Sequence, residues 1–374
     1  MNLLTAVPCA PAWRVDYPAI EAAFDWARAL RSCPQDPLHH GEGDVGVHTG
    51  LVLEALAMMP AFRSLTDEGR AVCFLGCLLH DVAKPHTTRE VDGRLTARGH
   101  SIKGALLARQ ILWELGVPFA VREQVCAIIK AHQIPFFLVD KPEREAERQL
   151  LRSAVGVRAE WLAIVTEADA RGRVCADQQR LLDNVELFRA FAVEVGAFAG
   201  PFAFADAHSR FRFFRDDRRT RFDTAYDDTR CTVTLLSGLP ASGKDTWVAR
   251  NVDDDDAVIS LDALREDHDL EHGGPQRAVV QLAQERLKVR LRAGKDAVWN
   301  ATSLARDLRG GVIDLADAYK ARVRIVRCEA DVDVVAQRNR ARAAPVPARA
   351  IARMLSRWEA PDLTEAHVVD VVCS

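Results

Sequence analysis

Four histidines and two aspartates lie on apolar, helix-forming stretches in the first half of the chain, where unpaired polar side chains are costly to bury. A divalent cation shared by ligands from several helices would compensate them, and imidazoles with carboxylates suit transition metals. Each histidine alone is more often an ordinary core or surface residue. The joint pattern is more specific, and it predicts a metal site formed by His48, His80, Asp81, His100, His132 and Asp169.

A second group of residues has the composition of a phosphate-binding loop. A G-x-x-x-x-G-K sequence follows an apolar, β-rich run and precedes a helical stretch, the context in which this motif cradles a polyphosphate. Lys244 would bridge the β- and γ-phosphates. Asp245 replaces the usual serine or threonine, so that either this carboxylate or Thr246 could contact the metal. The predicted nucleotide-binding residues are Gly238, Ser242, Gly243, Lys244, Asp245 and Thr246.

Residues that could bind and deprotonate the group that accepts the phosphate follow the next β-rich run. We expect a strand over Ala257–Leu261, and Asp262 follows at its carboxyl end, the edge at which ligands bind to parallel sheets. The carboxylate of Asp262 can accept a proton from an attacking hydroxyl, and Arg265 can hold an anionic acceptor. A helix N-cap is the structural alternative for Asp262, and the two roles are compatible.

Arginines dominate residues 338–357, where no acidic residue occurs. Arg338 and Arg342 are four residues apart and are expected to share a helix face. Such a pair could close on the γ-phosphate and neutralise charge in the transition state. An exposed basic helix is the alternative interpretation.

These rear-half features resemble the polynucleotide 5′-kinase family. The resemblance implies that Asp262 is the general base for a 5′-hydroxyl, that Arg265 contacts the phosphate of the acceptor, and that ATP or another NTP donates its phosphate with Mg²⁺. It covers the chain from about Thr229 onward and rests on Gly238–Thr246, Asp262, Arg265, Asn300–Leu304, Arg338 and Arg342.

The chain departs from this family's pattern at two places. One departure is Asp245 in the phosphate loop. The other follows the third strand, where the region of Asn300 and Thr302 replaces the family's acid. Asn300 and Thr302 are therefore candidate substrate-binding residues, and the departure leaves open which residue orders the acceptor or the metal.

The front-half pattern resembles the HD-domain phosphohydrolase superfamily over about Pro34–Ala176. Leu78–Pro85 and Arg98–Ala105 look particularly like the HD domains attached to bacterial CCA-adding tRNA nucleotidyltransferases. The resemblance implies that Lys84 contacts the scissile phosphate and that one or two ions such as Mn²⁺, Ni²⁺, Co²⁺, Fe²⁺ or Zn²⁺ are bound. It assigns one metal to His48, His80, Asp81 and Asp169, and a second to His100 and His132.

The Gly-rich segment before His48 contains four further polar residues. They line the same cleft or face solvent, and the sequence does not distinguish these alternatives. They are His39, His40, Glu42 and Asp44.

The elements that must position these residues differ between the two halves. Apolar residues recur at helical spacing from about Tyr17 to Glu194, without a convincing strand, whereas short β-rich runs alternate with helical stretches from Cys231 onward. We therefore expect a helical domain at residues 1–176, a connector at 177–229 and an α/β domain with a parallel sheet at 230–374. The predicted strands are Thr232–Leu236, Ala257–Leu261, Ala297–Trp299, Val323–Val326 and Val368–Val372.

The connector contains a stretch in which arginines alternate with phenylalanines. Arginines on phosphates and phenylalanines under bases would bind a nucleic-acid strand. An amphipathic helix whose phenylalanines pack between the domains is the alternative, and we favour it because solvated charge runs are common. The residues are Arg210, Phe211, Arg212, Phe213, Phe214, Arg215, Arg218, Arg219, Arg221 and Phe222.

The composition excludes several classes of protein. Among 374 residues, 48% are hydrophobic and 28% are charged, which excludes a disordered chain. No apolar run approaches the roughly 18 residues that cross a bilayer, and the start lacks the features of a signal peptide. With nine scattered cysteines, we expect a cytoplasmic protein with reduced thiols. The net charge of −3 requires that any polyanion be bound locally.

A phosphate-removing domain joined to a 5′-hydroxyl kinase suggests nucleic-acid end-healing. The first would remove a 2′,3′-cyclic or 3′-phosphate from RNA or DNA ends, and the second would phosphorylate the 5′ end so that a separate ligase could seal them. One alternative is a nucleotidase fused to a nucleoside or metabolite kinase. The other is a non-catalytic RNA-binding or regulatory protein.

Overall fold

A computed structural model describes residues 1–269 and 276–373, and the chain divides into two compact units, Met1–Phe202 and Ala203–Ser374. Within the described residues, no helix combines the length and the apolar character needed to cross a membrane.

The first unit is built almost entirely of helices, as predicted. Polar side chains cap several of them, since Asp16, Asp44 and Thr66 each accept a hydrogen bond from a backbone N–H in the first turn. Short 3₁₀ turns cover Leu3–Ala6 and Ala29–Ser32. The helices are α1 (Tyr17–Ala23), α2 (Asp25–Arg28), α3 (Val45–Met58), α4 (Pro60–Arg63), α5 (Asp67–Leu79), α6 (Lys84–Thr87), α7 (His100–Glu114), α8 (Phe119–Ala131), α9 (Ile134–Phe137), α10 (Glu143–Ala154), α11 (Ala159–Gly172) and α12 (Gln178–Val195).

A small antiparallel hairpin interrupts this helical unit. It consists of β1 (Arg89–Val91) and β2 (Arg94–Thr96), joined by Asp92 and Gly93, which both have positive φ. That pair of residues suits a two-residue hairpin turn. The expectation that no strand occurs between Tyr17 and Glu194 is therefore wrong at this point, because two strands of only three residues each leave little alternation to detect.

The second unit contains a parallel sheet with the strand order β4-β5-β3-β6-β7 in its described part. All five predicted strands are present, and every neighbouring pair is parallel. The central strand β3 is almost fully buried, as expected for a sheet covered on both faces by helices. The strands are β3 (Cys231–Ser237), β4 (Val258–Ser260), β5 (Ala297–Asn300), β6 (Ala321–Glu329) and β7 (Val368–Cys373).

Helices connect these strands and fill the core on the sheet's faces. Leu264, Val279, Leu287 and Val312 from the helices pack against the sheet in one apolar cluster. A 3₁₀ turn covers Asp255–Ala257. The helices are α13 (Ala207–Arg215), α14 (Lys244–Asn251), α15 (Leu261–Asp267), α16 (Gln276–Arg292), α17 (Arg306–Ala318), α18 (Val332–Arg340) and α19 (Ala348–Leu355).

Helix α13 carries the first part of the arginine- and phenylalanine-rich stretch. Phe211 is buried in the core of the second unit. Arg210 donates to the backbone carbonyl of His367, while Arg212 and Arg215 both pair with Asp317. Packing and ion pairs within the second unit therefore account for the presence of these arginines and of Phe211, and binding of a nucleic-acid strand is not needed to explain them.

Candidate functional sites

Helix ends of the first unit bring the six predicted metal-site residues together. His80 directly follows α5 and His132 directly follows α8, while His100 is the first residue of α7. His48 and Asp169 lie within α3 and α11. All six side chains are buried, including Asp81 beside His80.

The six residues form two adjoining groups with Asp81 between them. In one group, His48 Nε2 lies 3.1 Å from Asp169 Oδ1 and 3.3 Å from His80 Nε2. In the other group, His100 Nε2 lies 3.3 Å from His132 Nε2. Asp81 directs Oδ2 to His80 at 3.1 Å and Oδ1 to His100 at 3.3 Å. Asp81 is therefore placed to serve both groups, whereas the family resemblance assigned it to one metal.

Hydrogen bonds fix the orientation of the imidazole rings. A backbone carbonyl can only accept, so a ring nitrogen facing one must carry the proton. The Nδ1 atoms of His80, His100 and His132 donate to the carbonyls of Cys77, Ala97 and Ile129, at 2.7, 2.8 and 2.7 Å. The Nδ1 atom of His48 lies 2.8 Å from Glu42 Oε1. When the rings of His80, His100 and His132 are neutral, their Nε2 atoms therefore present lone pairs, and those of His100 and His132 face each other at 3.3 Å.

Such facing lone pairs repel each other unless a cation lies among them, and this is the arrangement that metal-binding histidines adopt. Burial lowers the pKa of His132 to about 3, so this ring is neutral at physiological pH. Burial alone would raise the pKa of Asp81, but His80 and Lys84 hold it well below its ordinary value. The pKa of Asp169 is likewise well below its ordinary value, because Arg173 and His48 outweigh the opposing effect of burial. Neutral imidazoles and ionised carboxylates are the protonation states in which these ligands bind a metal.

His80 is the exception among the rings. Burial opposes its charged form, but Asp81 and Asp169 outweigh burial and raise the pKa of His80. The carboxylates around His80 therefore favour positive charge at this position, which a bound metal ion would also supply. The residues fit one or two divalent ions, held by His48, His80 and Asp169 and by Asp81, His100 and His132.

The structure resolves the open question about the loop before His48. Glu42 Oε1 lies 2.8 Å from the Nδ1 atoms of both His40 and His48, so His40 and Glu42 belong to the site. His39 and His40 both line the adjoining cavity. Asp44 is instead the N-cap of α3, where its side chain accepts from Val47 N–H at 2.8 Å.

Two residues that the sequence analysis did not single out support the site. Arg173 donates to both oxygens of Asp169, at 2.9 and 2.8 Å, and its guanidinium lies over the ring of Phe136. Gln35 accepts a hydrogen bond of 2.6 Å from Lys84 Nζ, which also lies 2.8 Å from Asp81 Oδ2. Arg173 follows Asp169 by four residues, and this helical spacing could have predicted the ion pair from the sequence.

A cavity of about 520 Å³ opens onto Asp81, His100 and His132. Lys84, Arg98, Arg173 and Arg180 contribute positive charge to its wall. Asp36, Asp81 and Asp177 also line it, and Lys84, Arg173 and Arg180 each pair with an aspartate. The cavity is large enough for a small-molecule ligand.

The phosphate loop of the second unit connects the carboxyl end of β3 to α14. Ala241 and Gly243 have φ values of 63° and 99°, which turn the chain sharply before the helix. Gly238 has no room for a side chain, since a Cβ atom there would lie 2.3 Å from the carbonyl oxygen of Cys328 and 2.5 Å from Ser242 Oγ. The predicted strand-loop-helix context is therefore present.

Lys244 folds back on this loop. Its ammonium donates to the carbonyls of Gly238 and Leu239, at 3.0 and 2.8 Å. Burial lowers the pKa of Lys244 to about 8, although Asp245 opposes the shift. Asp262 and Arg342 also lie within electrostatic range of this ammonium.

The two departures from the kinase pattern lie side by side. Asn300, the last residue of β5, donates from Nδ2 to Asp245 Oδ1 at 2.9 Å. The carbonyl of Thr302 accepts a hydrogen bond from Gly238 N–H, also at 2.9 Å, which joins this strand end to the phosphate loop.

Asp262 lies in the first turn of α15 and is not its N-cap, so the structural alternative for this residue is excluded. The strand is shorter than predicted because Ser260 is the N-cap, accepting from Ala263 N–H at 3.3 Å. Asp262 forms an ion pair with Arg265, three residues later. Its side chain is 66% exposed, so that it is accessible to an acceptor.

The predicted helix face shared by Arg338 and Arg342 is also wrong. Helix α18 ends at Arg340, and Arg342 lies beyond it. Asn339 closes the loop that follows, since its side chain donates to the carbonyl of Val346 and accepts from the N–H of the same residue. Arg342 nevertheless remains within electrostatic range of Lys244.

Comparison with protein families assigns each of these regions to a known type of domain. Residues 47–159 match the HD domain family, and residues 233–361 match an AAA domain family. The chain therefore carries an HD domain in its first unit and a P-loop, kinase-like α/β domain in its second.

Known relatives match only part of the chain. It is similar to the multifunctional CCA protein of Halorhodospira halophila, with 38% identity over 28% of this chain and 23% of the relative. It is also similar to the multifunctional CCA protein of Ralstonia nicotianae, with 31% identity over 48% of this chain and 41% of the relative. The chain thus spans less than half the length of these curated relatives. A crystal structure from Chloroflexus aurantiacus aligns with 39% of this chain and 86% of its own, at 19% identity and a TM-score of 0.33.

Proposed function

We propose that this chain heals broken ends of RNA or DNA. The first unit removes a 2′,3′-cyclic phosphate or a 3′-phosphate, and the second transfers the γ-phosphate of ATP or another NTP to a 5′-hydroxyl. The observation that supports the proposal is the presence of two candidate sites on one chain, a cavity beside the cluster of buried histidines and aspartates and a phosphate loop near Asp262.

In the first unit, the chain's own residues bind and orient the phosphate. Lys84 and Arg173 both line the cavity, and they place positive charge where negative charge accumulates during phosphate hydrolysis. Gln35 holds the Lys84 ammonium in place. When bound by the histidines and aspartates, one or two divalent ions supply a water of lowered pKa and a clamp for phosphate oxygens.

In the second unit, Asp262 accepts the proton of the attacking 5′-hydroxyl and Arg265 holds the phosphate next to it. Gly238, Ser242, Gly243 and Thr246 belong to the phosphate loop and its helix, and Lys244 neutralises the β- and γ-phosphates. Arg342 and Arg338 add charge at the γ-phosphate, and Asn300 and Thr302 order the strand end beside the loop. Bound Mg²⁺ supplies further neutralisation of the phosphates.

One experiment tests both activities. An oligoribonucleotide with a 5′-hydroxyl and a 2′,3′-cyclic phosphate is incubated with ATP and Mg²⁺, Mn²⁺, Ni²⁺ or Co²⁺, and both termini are analysed. Lys244→Ala or Asp262→Ala should abolish 5′ labelling and leave phosphate removal unchanged, and Asp81→Ala should do the reverse. Loss of both activities in one folded variant would contradict the two-site proposal. A DNA oligonucleotide of the same sequence measures the preference for RNA, and added ligase tests whether healed ends can be sealed.

A second candidate is a nucleotidase fused to a small-molecule kinase. Arg210, Arg212 and Arg215 form hydrogen bonds and ion pairs within the second unit, so they contribute less to the basic surface expected of a protein that binds a nucleic-acid strand. This observation favours the second candidate. Salt distinguishes the two, because each phosphate contact with a single strand contributes a slope of about −0.7 to log K against log salt. Binding of a nucleoside would show almost no slope. Arg265→Ala should weaken oligonucleotide acceptors more than nucleosides, and equal losses would favour the second candidate.

A further inference from the structure

Asp245 and Asn300 occupy the two positions from which phosphate-loop proteins usually hold their metal. These proteins use the hydroxyl of the residue after the loop lysine together with an aspartate on a neighbouring strand. Asp245 is the residue after Lys244, and Asn300 ends β5, the strand paired directly with β3 in parallel register. The chain therefore has an acid in place of the hydroxyl and an amide at the end of the neighbouring strand.

The hydrogen bond between Asp245 and Asn300 indicates that the two departures from the usual residues are linked. Asn300 Nδ2 donates to Asp245 Oδ1 at 2.9 Å, so one side chain holds the other in place. The pair contains a single carboxylate, as does the usual combination of hydroxyl and acid. The single negative charge is retained, but it lies in the first turn of α14 instead of at the end of the neighbouring strand.

We propose that Asp245 is the carboxylate that ligates the nucleotide-bound Mg²⁺, that Asn300 positions it, and that nucleotide binding by this unit depends on the metal as a result. This inference rests on the proposed kinase role of the second unit, but it does not depend on which acceptor is phosphorylated. A carboxylate is a ligand that Mg²⁺ accepts readily.

The position of the Asp245 carboxylate predicts how nucleotide binding depends on Mg²⁺. Without Mg²⁺, the Asp245 carboxylate repels the triphosphate that the loop is built to bind. With Mg²⁺, the same carboxylate contributes a favourable contact. Metal and nucleotide should therefore strengthen each other's binding, and coupling between two ligands is typically about 5- to 150-fold.

Direct binding measures this coupling without catalysis. The affinity of the full chain for the non-hydrolysable analogue AMP-PNP is measured by calorimetry in EDTA and in Mg²⁺. For the wild-type protein, we expect Mg²⁺ to tighten binding by at least about 10-fold. Asp245→Ser should tighten binding in EDTA and reduce the effect of Mg²⁺, and the isosteric Asp245→Asn should do the same.

The double variant Asp245→Ser with Asn300→Asp gives the sharpest comparison, because it returns hydroxyl and carboxylate to the usual positions. It should recover most of the Mg²⁺ effect that Asp245→Ser loses. Asp253→Ser, which removes an exposed acid just beyond the other end of α14, is the matched control and should leave both affinities unchanged. Asp245 is itself exposed, so that these substitutions should not impair folding.

Two results would overturn the inference. One is an unchanged Mg²⁺ effect in Asp245→Ser, and the other is loss of the effect in Thr246→Ala but not in Asp245→Ser, which would assign the metal to the threonine. Because the assay contains no acceptor, it gives the same answer for a polynucleotide kinase and for a small-molecule kinase. A failure of the end-healing proposal is therefore distinguishable from a failure of this one.

Discussion

Removal of divalent metal should destabilise the first unit selectively. The Nε2 atoms of His100 and His132 lie 3.3 Å apart with their lone pairs facing each other, and a bound ion would replace this repulsion with coordination. A ligand present at 100 times its dissociation constant stabilises the folded state by about 2.7 kcal/mol. For a domain of this size, that energy corresponds to a rise in Tm of roughly 5–11 °C.

The assay is thermal unfolding of the full chain, first stripped with a chelator and then supplied with Mn²⁺, Ni²⁺ or Zn²⁺. Asp81→Asn should remove most of the metal-dependent rise in Tm, because Asp81 contacts both groups of histidines. Asp36→Asn is the matched control, since Asp36 lines the same cavity but pairs with Arg94 outside the cluster. An identical Tm with and without metal, or an equal loss in the Asp36 and Asp81 variants, would refute the metal assignment.

Three other substitutions test separate parts of the structure. Gly238→Ala should abolish AMP-PNP binding, because its Cβ would lie 2.3 Å from the carbonyl oxygen of Cys328; normal binding in calorimetry would contradict the loop geometry. Arg173→Lys keeps the charge but loses the two-pronged contact with Asp169, so metal affinity should fall by about 10- to 100-fold in a titration. Burial lowers the pKa of His367 to about 4, below its ordinary 6.5, so its contribution to the stability of the second unit is complete above pH 6.5 and is lost as the pH falls through about 4. His367→Asn, which can still accept from Val323 N–H, should flatten the dependence of Tm on pH over this range, and an unchanged profile would show that another group titrates.

Much of the architecture could be predicted from the sequence because its patterns are strong. Five β-rich runs separated by helical stretches predicted the five strands, and the apolar spacing before Glu194 predicted the helices. Residues as distant as His48 and Asp169 could be grouped through the joint pattern of histidines and aspartates. The structure places their side chains 3.1 Å apart.

Features that depend on local hydrogen bonds could not be predicted. Ser260 takes the capping position that the sequence also allowed for Asp262, and the side chain of Asn339 binds Val346 where α18 ends. The contact between Asp245 and Asn300 joins the start of α14 to the end of β5, 55 residues apart on the chain. Such contacts depend on single side chains that the fold brings together, and they leave no periodic signal in the sequence.

The carbonyls that anchor His80, His100 and His132 have an evolutionary consequence. Each belongs to the main chain three residues before the ring, so no point mutation can delete it. The side chains lining the cavity can therefore change during evolution to bind different phosphorylated compounds, while the orientation of these three rings is preserved. His48 lacks this protection because its Nδ1 faces the side chain of Glu42, and a single codon change there could turn the ring.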